Sequence, residues 1–183
     1  MKNFKLNRDD CLFLFVDLQG KILKAIHNNE NVLKNSVILA KVSEILNMPT
    51  ILTAQYPKGL GSNEEVLKKH LKDSKEYGKL SFDCYGDKEI KEAIDSVGKK
   101  QIIVCGIESH ICVYQTVRSL LCGGYQVFLP MDALGSRKEE NHLNALKNLD
   151  QMGAVVTNTE TILFDLAGIA GTEEFKTLQK LIL

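Results

Sequence analysis

Three residues could carry nucleophilic chemistry, given where they fall in the chain: Cys112, Asp17 and Lys79. Cys112 follows Ser109 by three residues, and a serine there reads as a helix N-cap, so the spacing predicts the sulfur in the first turn of a helix. Unpaired N–H groups and the helix dipole favour a thiolate at such a place, and the same turn could hold an oxyanion. A thiolate nucleophile also needs a proton acceptor and usually a nearby cation. Asp17, closing an apolar run, and Lys79, in an irregular segment, could supply them. No spacing brings the three together. Taken singly, Cys112 is a small buried apolar residue, Asp17 a strand-end carboxylate capping a turn, and Lys79 an exposed loop lysine.

Other chemistries find less support. The four histidines, His27, His70, His110 and His142, show no HxH, HExxH or Cys/His ligand spacing, so no metal site is predicted. Of these only His110 lies near Cys112, as a first-turn residue that either faces solvent or lines a pocket. No GxGxxG follows a strand and no GxxxxGK[ST] occurs, which leaves dinucleotide and nucleoside triphosphate binding unsupported. Tyr56, Phe82, Tyr85 and Tyr114 could wall a pocket or simply pack. The five cysteines are odd in number and include no CxxC. They are expected to be reduced thiols, with Cys11, Cys105 and Cys122 in the core.

The elements that must position these groups follow from periodicity. Leu12-Phe-Leu-Phe-Val16 is a continuous apolar run ending in Asp17, as expected of a central strand buried on both faces. Helical spacing runs from Asn31 to Leu46, and further strands are predicted over 50–54, 101–105, 125–129 and 154–157. Three helix starts are expected at serines: Ser62, with Glu65 three residues on, Ser109, and Ser136 with Glu139. Asp87 caps a helix that Gly98 ends, and Gly153 ends the helix after Ser136. Lys72 to Cys84 reads as loop with a weak strand near Leu80 to Phe82, and two short helices, about 160–166 and 173–181, close the chain. Alternating strands and helices imply right-handed crossovers and an α/β fold, a three-layer α/β/α sandwich on a mostly parallel sheet. In such a sheet the binding crevice lies beyond the strands' carboxyl ends, so Asp17, Gln55, the segment Gly106 to Cys112, and Asp132 should share an edge.

Composition sets the outer limits. A length of 183 residues suits one domain over 1–183, and 44% hydrophobic with 25% charged residues predicts a packed core. Lys plus Arg and Asp plus Glu are 23 each, so no net field favours nucleic acid or an anionic membrane, and a small, roughly neutral ligand is the expected partner. The longest apolar run, Cys11 to Val16, is too short to span a bilayer, and Met1-Lys-Asn-Phe-Lys lacks an apolar leader. A cytoplasmic protein is expected.

The chain resembles the isochorismatase-like cysteine hydrolases. The resemblance rests on Phe15-Val-Asp17-Leu-Gln19, Lys79-Leu-Ser-Phe82, Gly106-Ile-Glu-Ser-His-Ile-Cys112-Val and Asp132-Ala-Leu-Gly-Ser-Arg137, in this order. Gln55-Tyr-Pro-Lys-Gly-Leu-Gly61 and the tail Phe175-Lys-Thr-Leu-Gln-Lys-Leu-Ile182 are most similar to the short isochorismatase domain-containing proteins. The resemblance implies a six-stranded parallel sheet with an Asp17, Lys79 and Cys112 triad at its carboxyl edge. It also implies a cis peptide between Ile107 and Glu108, and an oxyanion hole made by the backbone N–H groups of Glu108 and Cys112. Gln19, Tyr56, Phe82 and His110 are then expected around the substrate. Relatives that hydrolyse nicotinamide bear an Asp-x-His metal motif where this chain has Gln55-Tyr56-Pro57, so neither a metal nor another cofactor is expected. Cleavage of isochorismate's vinyl ether needs no cysteine nucleophile, so Cys112 points to acyl transfer. The implied activity is hydrolysis of an amide-type C–N bond in a small metabolite through a thioester on Cys112. The alternative is a catalytically silent protein of the same fold that binds a ligand or partner. A homo-oligomer is expected, with Leu120, Leu121, Ile169 and the C-terminal helix as apolar contact surface.

Overall fold

The computed structural model describes residues 4–72 and 74–183. Residues 1–3 of the segment read as lacking a leader, and residue 73 of the segment read as loop, lie outside them. Seven parallel strands form one sheet: β1 (Cys11–Val16), β2 (Thr50–Gln55), β3 (Glu76–Lys79), β4 (Gln101–Ile107), β5 (Gln126–Pro130), β6 (Leu134–Gly135) and β7 (Val155–Thr157). Six of them run in the order β3-β2-β1-β4-β5-β7, while the two-residue β6 pairs β4 beyond the end of β5. The sheet thus has one short strand more than the expected six. A two-residue strand has no period to read.

The expectation of a central strand at 12–16 is met. β1 pairs β2 on one side and β4 on the other, and all six of its residues are buried. Its side chains alternate between the two faces. Phe13 and Phe15 enter one core with Ile103, Cys105 and helix α2 (Asn29–Ile45), while Leu12, Leu14 and Val16 enter the other with Val104 and helix α6 (Cys112–Cys122). The first core also holds residues of α8 (Thr159–Ala167) and α9 (Glu173–Gln179), and the second those of α5 (Lys88–Val97) and α7 (Glu139–Met152). This is the three-layer α/β/α arrangement. Strand order reverses between β1 and β4, where parallel sheets open a crevice. Short helices α1 (Gly20–Leu23), α3 (Pro57–Leu60) and α4 (Glu65–Lys68) follow β1 and β2 at that edge.

Asp87, Gly98 and Gly153 act as the sequence predicts. The Asp87 carboxylate accepts from the Glu89 and Ile90 amides, and both glycines take the left-handed conformation that ends α5 and α7. The three serine caps do not form. The Ser62 hydroxyl bonds Glu76, Ser109 bonds His142, and Ser136 bonds His110, so each is drawn to a residue distant in sequence. The weak strand expected near Leu80 to Phe82 lies earlier, over Glu76–Lys79, and Leu80 and Phe82 are exposed. Cys122 is exposed rather than in the core, whereas the other four thiols are buried.

Burial of those thiols gives stability a pH limit. Cys11 and Cys84 are each pushed from 9.0 up to about 12, chiefly by burial, so between these values an unfolded thiol ionises while its folded counterpart keeps its proton. Their contribution is complete below the unfolded value and is lost as pH rises toward the folded one. Each should therefore cost up to about 1.4 kcal/mol of stability per pH unit above pH ~9. Urea midpoints measured at about pH 8 and about pH 10 should show a marked fall. Equal midpoints would contradict the assignment.

Candidate active site

Asp17 leaves the end of β1 with φ 53, an unusual left-handed backbone for a non-glycine residue. Its amide donates to Thr53 O, which ties the turn to β2. Lys79 is the last residue of β3 and stands in register with Gln55, the last of β2, so their side chains emerge side by side. Cys112 is the first residue of α6, which begins beyond the end of β4. Between β4 and α6 the chain passes through a cis peptide at Ile107–Glu108. The loop is held from behind: Ser109 N donates to Gly135 O, Ser109 Oγ pairs with His142, His110 pairs with Ser136, and the Glu108 carboxylate accepts from Arg137.

These elements bring the three predicted residues together. Lys79 Nζ donates to Asp17 Oδ2 at 2.7 Å, and both side chains are essentially inaccessible, at 0% and 1% exposure. Asp17 Oδ1 accepts from Thr53 Oγ1 at 2.8 Å. The Asp17 charge favours the protonated form of the Cys112 thiol. Gln55 Oε1 accepts from Lys79 Nζ at 2.6 Å and lies 3.9 Å from Cys112 Sγ. Among the described residues, the backbone amides of Glu108 and Cys112 donate to no backbone carbonyl.

Residues 11–161 match the model of the isochorismatase domain. The chain belongs to the isochorismatase family. It is 35% identical to isochorismatase domain-containing protein 2 of Danio rerio over 97% of this chain and 89% of that protein. MAR1 ribonuclease from Caenorhabditis elegans superposes with a TM-score of 0.91 at 32% identity, covering 97% of this chain and 92% of the other. The YcaC gene product of Escherichia coli, an octameric hydrolase of unknown specificity, shares the fold, with a TM-score of 0.92 at 23% identity over 99% and 92% of the two chains.

Within this isochorismatase fold, the surroundings of the sulfur favour the thiol over the thiolate that a helix start suggested. Burial and the adjoining Asp17 carboxylate push the Cys112 thiol well up, and Lys79 only partly offsets them. Burial disfavours the Lys79 ammonium too, yet Cys84, Asp17 and Cys112 around it raise it above the ordinary lysine value. Burial and charge therefore favour the neutral thiol beside the buried Asp17–Lys79 pair. A carboxylate so placed can receive a proton as sulfur bonds to carbon.

The remaining expected site residues separate into two groups. Tyr56 and Phe82, each 50% exposed, flank the strand ends that carry Gln55 and Lys79. Gln19 is fully buried: it donates to Gln55 O and Gly61 O and accepts from Gln55 N, so its amide is spent on backbone. His110 is engaged by Ser136 and Asn141. Tyr85 turns away, its hydroxyl donating to Asp95 and its ring packed edge-on against Tyr125. Asp132 caps α8 by accepting from Thr159. A cleft of about 470 Å³ opens behind the loop between β4 and α6, among His27, Asp132, Glu139 and His142, and it includes none of the three central residues.

Thr53 and Cys84 belong to the constellation but were not expected there, and Gln55, expected at this edge, was given no role. Cys84 is buried against Thr53, and its charge state couples to Lys79 and Asp17. In Thr50-Ile-Leu-Thr-Ala-Gln55, polar residues at 53 and 55 share the period of a strand face. That alternation at the end of an otherwise buried strand was the signal that could have found Thr53 and the role of Gln55; no such signal marks Cys84.

Proposed function

We propose that this protein is a metal-independent cysteine hydrolase that cleaves an amide-type C–N bond of a small metabolite through a thioester on Cys112. The observation that carries this reading is the buried Asp17–Lys79 pair, fixed by Thr53 and joined through Gln55 to the Cys112 thiol. In the proposed cycle Asp17 takes the thiol proton as sulfur attacks the carbonyl carbon. The oxyanion that forms accepts from the Glu108 and Cys112 backbone amides. Collapse breaks the C–N bond, and Asp17 passes its proton to the departing nitrogen. Water, deprotonated by Asp17, then cleaves the thioester, releasing a carboxylic acid and restoring the thiol. Lys79 keeps the Asp17 side chain oriented throughout. Gln55-Tyr56-Pro57 at the end of β2 offers no carboxylate or imidazole, which supports a cycle without a metal.

A small substrate suits the protein's charge. The C. elegans relative is by name a ribonuclease, but here 23 basic residues are matched by 23 acidic ones, and the Lys79 cation is already paired. Assembly into a homo-oligomer is proposed by likeness to the octameric E. coli protein. Leu120, one of the expected contact residues, is fully buried within the protomer, whereas Ile169 is 73% exposed and remains available. Among the described residues no helix is long and apolar enough to cross a membrane. A cytoplasmic location is proposed from the reduced thiols.

The reading is tested by assaying ammonia or amine release from a panel of small amides and ureides. Turnover that disappears in Cys112→Ala is the expected result. A panel-wide absence of Cys112-dependent turnover, together with a stable partner complex insensitive to Cys112→Ala, would instead establish the silent, binding protein.

A further inference from the structure

The acceptor that Gln55 presents to the sulfur has a consequence for which bonds the site takes. Lys79 Nζ can only donate, so the side-chain atom of Gln55 that faces it must be the oxygen, and the amide orientation follows from chemistry. The other end is equally constrained: Gln55 Nε2 donates to Leu80 O at 2.9 Å. The backbone of Gln55 is clamped on both sides by Gln19, through Gln55 N to Gln19 Oε1 at 2.8 Å and Gln19 Nε2 to Gln55 O at 3.0 Å. Rotation of the carboxamide would therefore break bonds at both ends.

An amide oxygen has two lone pairs. One is taken by Lys79, and the second faces the Cys112 thiol at 3.9 Å, where S–H is only a weak donor. During attack the thiol gives up its proton and even that donor disappears. A carbonyl carbon approaching sulfur to about 3–3.5 Å carries its leaving atom roughly 1.3 Å farther on, within reach of the same oxygen. An N–H at that point makes a hydrogen bond. An ester or ether oxygen sets lone pair against lone pair.

We infer that Gln55 is a specificity-determining residue that selects acyl groups whose leaving nitrogen bears a hydrogen, that is primary or secondary amides and ureides, over esters and tertiary amides. The inference rests on the proposed nucleophilic role of Cys112 and deepens it. Gln55 acts on the substrate rather than on the thiol, so its effect is a preference between substrates rather than a change in sulfur reactivity.

The test uses acylation of Cys112 by two donors that differ at the leaving nitrogen, N-(4-nitrophenyl)trifluoroacetamide, which carries an N–H there, and its N-methyl derivative, which carries none. A Cys122→Ser background removes the exposed thiol. The first-turnover rates of Cys112-dependent nitroaniline release are each divided by the rate with glutathione, and the N–H value is divided by the N-methyl value. This quotient cancels the ionisation of the sulfur. It is expected at about ten with Gln55 present, the size of one hydrogen bond, and near one in Gln55→Met. Gln55→Asn, which keeps the amide but withdraws it from the sulfur, should also lose the preference and serves if the methionine variant does not fold. A quotient near one in the parent protein, or one unchanged in the folded variants, overturns the inference. Because the quotient reads acylation alone, a protein that shows the preference yet completes no amide hydrolysis would refute the proposed function and leave the selection by Gln55 standing.

Discussion

Asp17→Asn is expected to remove turnover while making Cys112 easier to ionise. The two effects have opposite sign because Asp17 faces the sulfur in two capacities. As the proposed base it receives the thiol proton, a role an amide cannot fill, and its loss should lower kcat about 10²–10⁴-fold. As a buried negative charge it holds the thiol proton in place, along with burial itself, against the pull of Lys79. Without it the Lys79 ammonium is left unopposed beside the sulfur, and the thiol ionises at lower pH. Iodoacetamide should then alkylate Cys112 faster at neutral pH in the variant than in the parent. Stability should fall as well, since removing one partner of a buried ion pair costs about 3–5 kcal/mol. The asparagine oxygen can still accept from Lys79 while its Nδ2 donates to the Thr53 hydroxyl, which places the cost toward the lower end of that range. Slower or unchanged alkylation would show that the Asp17 charge does not govern the thiol.

A larger structural effect is expected at Gly106. It pairs with Val16 where β4 runs beside β1, at φ 125, a backbone conformation that residues with a side chain rarely adopt. A β-carbon there would lie 2.0 Å from Val16 O and 2.8 Å from Val16 N. Those are backbone atoms of the central strand, so relief requires parting β1 from β4 immediately below Asp17 and the nucleophile loop. Gly106→Ala should cost more than about 4 kcal/mol, the range reserved for severe core disruption. Gly98 supplies the comparison: its φ is 71, and nothing lies within 4 Å of a β-carbon placed there. Gly98→Ala should cost only about 1–2 kcal/mol from backbone strain. Similar urea midpoints for the two variants would contradict this packing of β1 on β4.

What the sequence made legible was whatever local chemistry decides. β1 could be read because six apolar residues end at a charge, and Asp87, Gly98 and Gly153 because their own backbone conformation ends or starts a helix. The three serines failed as caps for one shared reason. A hydroxyl can satisfy a helix amide or a tertiary partner, and Glu76, His142 and His110, all far along the chain, won the competition. β3 was misplaced because Glu-Tyr-Gly-Lys is a polar edge strand with a partner on one side only, so burial leaves little pattern in it. That misplacement hid the register of Lys79 with Gln55, and with it the role of Gln55. The family motifs named Asp17, Lys79 and Cys112 without indicating that the surroundings favour a protonated sulfur. That follows from burial and from the Asp17 charge, both products of the whole fold.

The central claim, that Cys112 is a nucleophile aimed at a carbonyl carbon, is tested most directly by a crystal structure of the protein soaked with a small aldehyde. The account predicts a thiohemiacetal on Cys112 Sγ, with its oxygen hydrogen bonded to the backbone amides of Glu108 and Cys112. An adduct whose oxygen lies away from both amides, or an unmodified Cys112 beside aldehyde bound at Cys122 or a surface lysine, would contradict it.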